Sequence, residues 1–284
     1  MNFLALYDAQ LLIVPVAFKT IDKMNKMIFL LALMILISCS TKNSVIETAP
    51  NDLTESAPKE WELLFNGKDL SNWTIACADR DKNKTYWKVD DGAIVANSMG
   101  DKDHGYIWLI TKEEFNDFKL QLKFQSFRDS PGNSGVQVRS RYDKLAKVEG
   151  EEGLGYLDGP QVDVHPPGAW RTGFIYDETR GQRRWISPSL PDWRMDKETY
   201  APQKHIHYFS DEAPYWNDLA IICDGNHIKT IVNGITVSDY DGTGILDDEH
   251  HQKAGIVGTG HIALQLHKDD ELKIAFKDIM IKKL

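Results

Sequence analysis

The chain is 284 residues long, 42% hydrophobic and 26% charged, with a formal net charge of −9. That composition is globular, and its acidic excess argues against nucleic acid or an anionic membrane surface as the main partner. Three cysteines without any CxxC or zinc-type spacing give no reason to expect a thiolate metal site.

Residues 1–39 stand apart from the fold. Ile28 to Ile37 is a run of ten apolar residues behind Lys23 and Lys26, too short for a bilayer span of about 20 residues. It ends in Leu36-Ile37-Ser38-Cys39 and resembles a bacterial lipoprotein signal, with Cys39 lipidated after cleavage and Met24 or Met27 as the ordinary start. An exported domain, lipid-anchored to a bacterial membrane and facing the periplasm or cell surface, is the expectation. Ser40 after the cysteine fits the outer membrane. Residues 40–58, rich in Ser, Thr and Asn with two prolines, have the composition of a flexible tether. The leader holds Lys19, Lys23 and Lys26 against Asp8 and Asp22, so removing its +1 from −9 leaves −10 on the exported part.

The domain is placed at residues 59–284, about 225 residues, which suits one large all-β unit. Trp87 to Val89, the turn Asp90-Asp91-Gly92, and Ala93 to Ala96 read as a hairpin. Phe118, Leu120, Leu122 and Phe124 alternate with Lys119, Gln121, Lys123 and Gln125, as in a strand buried on one side. His227 to Val232 and Ile235 to Val237 flank Asn233-Gly234, residues that tolerate positive φ in a tight hairpin turn. A final strand pair is expected at His261–His267 and Glu271–Lys282. Many strands with short turns and no helical rhythm predict a two-sheet antiparallel sandwich of the jelly-roll or lectin-like kind. The long stretches 141–158 and 177–215, the second carrying Trp185 and Trp193, are expected as functional loops. Cys77 and Cys223 are expected to remain thiols.

One polar design recurs on three strands. In residues 159–165 Gln161, Asp163 and His165 share one face and Val162 and Val164 the other; Gln137 and Arg139 alternate with Val136 and Val138; Gln265 and His267 alternate with Ile262, Leu264 and Leu266. The apolar faces can close a core, while the opposite faces present an acid, imidazoles, a guanidinium and amides to a cleft. His104, His205, His207, His250 and His251 lie in polar contexts and are expected at the surface.

The opening Trp61-Glu-Leu-Leu-Phe65-Asn66-Gly67-Lys68-Asp69-Leu70-Ser71-Asn72-Trp73 resembles that of the DUF1080, or 3-keto-disaccharide hydrolase, domain family. Further matches follow in order: Trp87 to Gly92, Phe115 to Phe118, Asn133 to Arg139, Thr172 to Tyr176, Trp216-Asn217, Val232 to Gly234 and Gly260 to His267. The resemblance spans essentially all of residues 59–284. It implies a concanavalin A-like sandwich, exported, that cleaves glycosides whose sugar carries a ketone at C3. One departure is visible: family members commonly have Glu-x-Gln where this chain has Gln161-Val162-Asp163, so acid and amide are exchanged.

A 3-ketone acidifies the C2 proton, so one base and good enolate stabilisation suffice for elimination at C1. His165 or Asp163 is the candidate base, Arg139 the stabiliser of developing charge, and His267 the acid for the leaving oxygen. Water addition would complete a hydrolysis; stopping earlier would make the enzyme a lyase. Gln137, Gln161, Gln265, Tyr176 and Asn217 are the candidate substrate contacts, and an oligosaccharide or glycoside is the expected ligand. Asp163, His165 and His267 also make a possible three-ligand set for a divalent metal ion. Structural readings compete: Gln137 and Gln265 could satisfy each other, and Arg139 could pair with Asp163. Two functional alternatives stay open, a non-catalytic carbohydrate-binding module and a conventional glycosidase. The latter needs a second carboxylate, and the sequence shows none on a strand.

Overall fold

The computed structural model describes residues 60–130, 132–148, 153–165, 171–187 and 207–284. The signal and tether with Cys39, the acidic loop residues Glu149, Glu151 and Glu152, Trp193 and His205 lie outside the described residues. Among those described, the chain forms two antiparallel sheets and one short α-helix, α1 (Glu249–Ala254). None of the helices among the described residues is long and apolar enough to cross a membrane.

The back sheet runs β14 (Ile235–Asp241), β13 (His227–Val232), β12 (Asn217–Asp224), β6 (Phe118–Ser126), β16 (Lys273–Lys283), β4 (Ala93–Asn97), β3 (Trp87–Asp90), with β1 (Glu62–Leu63) also on β16. The front sheet runs β11 (Arg184–Ser187), β10 (Ile175–Asp177), β9 (Pro160–Val164), β7 (Ser134–Asp143), β15 (His261–Leu266), β5 (Ile107–Thr111), β2 (Trp73–Cys77), with β8 (Tyr156–Asp158) on β7. The inward residues of β6 meet Val136, Val138, Val162, Val164, Leu264 and Leu266 of the front sheet in one core cluster. Each such side chain stabilises the sandwich by about 1.5–3 kcal/mol. The two-sheet antiparallel sandwich is the expected architecture.

Local chemistry accounts for the turns. Asp91 and Gly92 (φ 46° and 72°) and Asn233 and Gly234 (φ 49° and 81°) close the two predicted hairpins in the left-handed region that such residues tolerate. In the opening motif Asn66 Oδ1 accepts from the amides of Lys68 and Asp69, and the buried Trp73 donates its indole N–H to the Leu64 carbonyl at 3.0 Å. These residues are architectural.

Two expectations are corrected. β15 and β16 are not paired with each other: β15 lies between β5 and β7 in the front sheet, whereas β16 lies between β4 and β6 in the back sheet. The residues 267–272 therefore cross from one sheet to the other, which brings His267 and Asp270 to the mouth of the front face. His104, His207 and His251 are buried, not exposed; each ring finds hydrogen-bond partners, which is what permits burial. Cys77 and Cys223 are both free, on β2 and β12 of opposite sheets.

Candidate active site

The outer face of the front sheet carries the polar row. Strand pairing sets Asp163 beside Gly135, and Gln161 between Gln137 and Tyr176. Gly135 makes the arrangement possible: a Cβ there would lie 2.4 Å from Cδ of Gln161. The glutamine thus lies across β7 and donates its Nε2 to Asp163 Oδ1 at 3.2 Å. Gln161, Asp163, His165, Tyr176 and His267 all line one cavity of about 410 Å3, within the range of small-ligand sites.

Asp163 is 2% exposed. Burial pushes its carboxyl up to about 6, although Arg171 and the Gln161 amide both favour the charged form. Arg171 Nε stands 3.1 Å from Asp163 Oδ2, an ion pair on the wall of the cavity. The Arg171 guanidinium also lies 5.3 Å from the Trp185 ring centre, and Trp185 meets Tyr176 edge-on at 5.0 Å.

His267 is held by a second couple. Its Nδ1 lies 2.8 Å from the Lys268 carbonyl and 3.1 Å from Asp270 Oδ2. A carbonyl only accepts, so Nδ1 carries the proton and Nε2 is the atom turned to the cavity. Burial works against charge on this ring, but the Asp270 carboxylate outweighs it and holds the imidazole above its ordinary value. Asp270 is itself anchored by the Asn133 amide at 3.0 Å. The Tyr106 hydroxyl sits 3.3 Å from His267 Nε2 and accepts from Arg183 at 3.3 Å.

A second carboxylate is present. Glu178, 6% exposed, lines the same cavity. It accepts the Tyr156 hydroxyl at 2.9 Å and lies 3.7 Å from Arg183 Nε; burial pushes its carboxyl up. The alternation that reaches Tyr176 arrives at Glu178 two residues later, a signal available in the sequence. Arg171, Arg183 and Asp270 stand in loops, where no periodicity marks them.

Other expected residues fall elsewhere. Arg139 is not at the cavity. A bulge between β7 and β15 gives it φ 50° and turns it toward Asp117 Oδ1 at 2.8 Å and the Asn116 carbonyl at 2.9 Å, with the Gly225 carbonyl as a third acceptor. Gly260 is required opposite, since a Cβ there would lie 2.4 Å from the Arg139 carbonyl carbon. Arg139 is a clamp between loops and pairs with Asp117, not Asp163. Asn217 belongs to the back sheet, where its amide bonds both the N–H and the carbonyl of Tyr208 at 2.8 Å. Gln137 is buried beneath β8 and donates to the Leu157 carbonyl at 3.2 Å. Gln265 is equally buried, and the side-chain oxygens of both glutamines lack partners, so the two do not satisfy each other. Among the described residues no three His, Cys, Asp or Glu side chains converge to hold an ion, because Asp163 faces Arg171 and His267 faces Asp270.

A β-sandwich with acids, imidazoles, arginines and an aromatic wall on one sheet face is the class of protein so defined. The model of the 3-keto-alpha-glucoside-1,2-lyase-like domain matches residues 60–282, and the chain belongs to that family. Among solved structures, it is similar to two putative glycosyl hydrolases from Parabacteroides distasonis. One is 18% identical, covering 79% of this chain and 94% of that one with a TM-score of 0.49; the other is 22% identical, covering 79% and 100% with a TM-score of 0.46. The carbohydrate-binding module CBM66 from Bacillus subtilis is 14% identical, covering 75% and 96% with a TM-score of 0.44. No curated protein matches the chain.

Proposed function

We propose that this protein cleaves 3-keto-glycosides by removing the C2 proton and expelling the C1 substituent. The observation that carries the reading is Asp163, a buried carboxylate raised to about 6, sharing one cavity with the His267–Asp270 couple. A carboxylate of that basicity is still ionised at neutral pH and accepts a proton better than an exposed one. Asp163 takes the C2 proton, and the electron pair forms the enolate with its charge on the C3 oxygen. Arg171, adjacent to Asp163, supplies fixed positive charge for that oxygen. The pair then returns to form the C1–C2 double bond as the C1–O bond breaks, and His267, as the imidazolium that Asp270 favours, gives its Nε2 proton to the leaving oxygen. Trp185 and Tyr176 provide aromatic surface for the sugar's C–H face. Water addition to the resulting enone makes the outcome hydrolysis; its release makes the outcome elimination. We propose further that the chain is exported and lipid-anchored through Cys39, as its leader indicates.

A conventional glycosidase is the second reading, favoured by the pairing of Asp163 and Glu178 on one cavity, as two-carboxylate hydrolysis requires. NMR in D2O with a 3-keto-glucoside and its unoxidised parent separates the two. Loss of the aglycone from the ketone alone is expected, with deuterium at C2 of the product where water has added to the enone. Cleavage of the parent, abolished in Glu178→Gln, would transfer the case to the second reading.

A further inference from the structure

A second cavity of about 770 Å3 opens where β2, β5 and the start of β15 meet. His261 begins β15 and lines it, whereas His267, just past the other end of β15, lines the first cavity. Six residues of strand separate the two by about 20 Å. The sheet face between them is covered by a packed cluster that includes Trp108, Tyr156 and Leu157, so the cavities are distinct.

The second cavity has amphipathic chemistry. Ile75, Leu145 and Leu154 line it while 43%, 72% and 46% exposed, beside the ring of Tyr142. Its charged walls are Lys82, Lys112, Arg141 and Lys144 against Asp79. Asp79 holds Lys82 at 2.8 Å, and Glu114 holds Arg141 at 2.9 Å. Lys112 and Lys144 have no ion pair among the described residues. The buried Nδ1 of His261 is also without a hydrogen-bond partner. A chain of net charge −9 repels polyanions in general, so two lysines with no ion pair among the described residues, inside an apolar-walled cleft, form a local exception.

We infer that this cavity is a second binding site, taking an acidic glycan strand whose carboxylate or sulfate groups meet Lys112 and Lys144. The sugar C–H faces lie on Tyr142 and the exposed leucines. The inference rests on the carbohydrate reading above and adds an anchoring site, which would raise the effective concentration of polymer ends near the catalytic cavity.

Titration calorimetry of the full chain at about 150 mM salt tests it with three probes: oligogalacturonate, dextran sulfate and uncharged dextran. At least one acidic probe is expected to bind about tenfold or more tightly than dextran, and which one binds distinguishes carboxylate from sulfate recognition. The double variant Lys112→Gln/Lys144→Gln is expected to lose that preference and to turn over a small 3-keto-glucoside at the unaltered rate. Asp163→Asn is expected to bind as the unaltered chain does. Equal binding of acidic and neutral probes, or no binding, overturns the inference. Loss of binding in Asp163→Asn overturns it too, by placing the acidic strand in the catalytic cavity. Acidic binding without turnover of any 3-keto-glycoside would refute the catalytic reading and leave this site standing.

Discussion

Replacing Asp163 by Asn removes a buried charge without changing shape, and the structure sets both consequences. Raising a carboxyl from 3.8 to about 6 means the native state binds its proton more tightly than the unfolded chain does. Between those two values the unfolded state loses its proton first, so ionisation of Asp163 costs stability as pH rises through about 4 to 6 and by a constant amount above. At about 1.4 kcal/mol per pH unit the cost reaches about 3 kcal/mol. Because the side chain is 2% exposed, solvent screening does not erase it. Asp163→Asn, which resembles the protonated form, is therefore expected to be the more stable protein at pH 7–8 by about 3 kcal/mol, or about 6–12 °C in Tm for a domain of this size. The difference should fade toward pH 4. Turnover should fall by about 10²–10⁴, the contribution of a positioned base. Thermal melts from pH 4 to 8, run beside rate measurements, give both readouts. A variant that is less stable at neutral pH, or one that is stabilised yet fully active, would refute the assignment of Asp163 as a strained base.

Asp270→Asn removes the partner that holds the His267 imidazolium. If His267 donates the leaving-group proton, the alkaline fall of the rate profile should move to lower pH; an unmoved profile would exclude His267 as the acid. His267→Gln is expected to slow turnover by about 10²–10⁴ with little loss of binding, read as kcat against KM. Arg139→Ala should lower stability by about 2–3 kcal/mol, since Asp117 and two carbonyls lose their donor, while kcat/KM per folded molecule is unchanged. A selective loss of kcat there would return Arg139 to the site. Gly135→Ala places a Cβ against Gln161 and should cut activity by about 10²-fold through misplacement of Asp163, with the fold intact by circular dichroism; full activity would show that the Gln161 contact is dispensable.

Much of the sandwich was legible in the chain because its signals are local. Alternation in residues 118–125 settles which side of β6 is buried, and Asp91-Gly92 and Asn233-Gly234 mark turns by their tolerance of positive φ. The same alternation placed Gln161, Asp163 and His165 on one face. Where the backbone departs from the two-residue period, the reading failed: the bulge at Arg139 rotates that side chain out of the row, and only the approach of Gly260 reveals it. The partners of β15 and β16 were equally hidden, since adjacency in sequence favours a hairpin but the core is better closed by sending each strand to a different sheet. Asn217 shows the same limit, because an amide reads alike whether it meets a sugar or a neighbouring loop. By itself, then, the sequence determined the strands, the turns and the acid and imidazoles of the polar rows, all set by interactions within a few residues. Only the tertiary structure decided that Arg171, Arg183 and Asp270 join them, because loop side chains acquire their neighbours, and buried carboxyls their raised basicity, from segments distant along the chain.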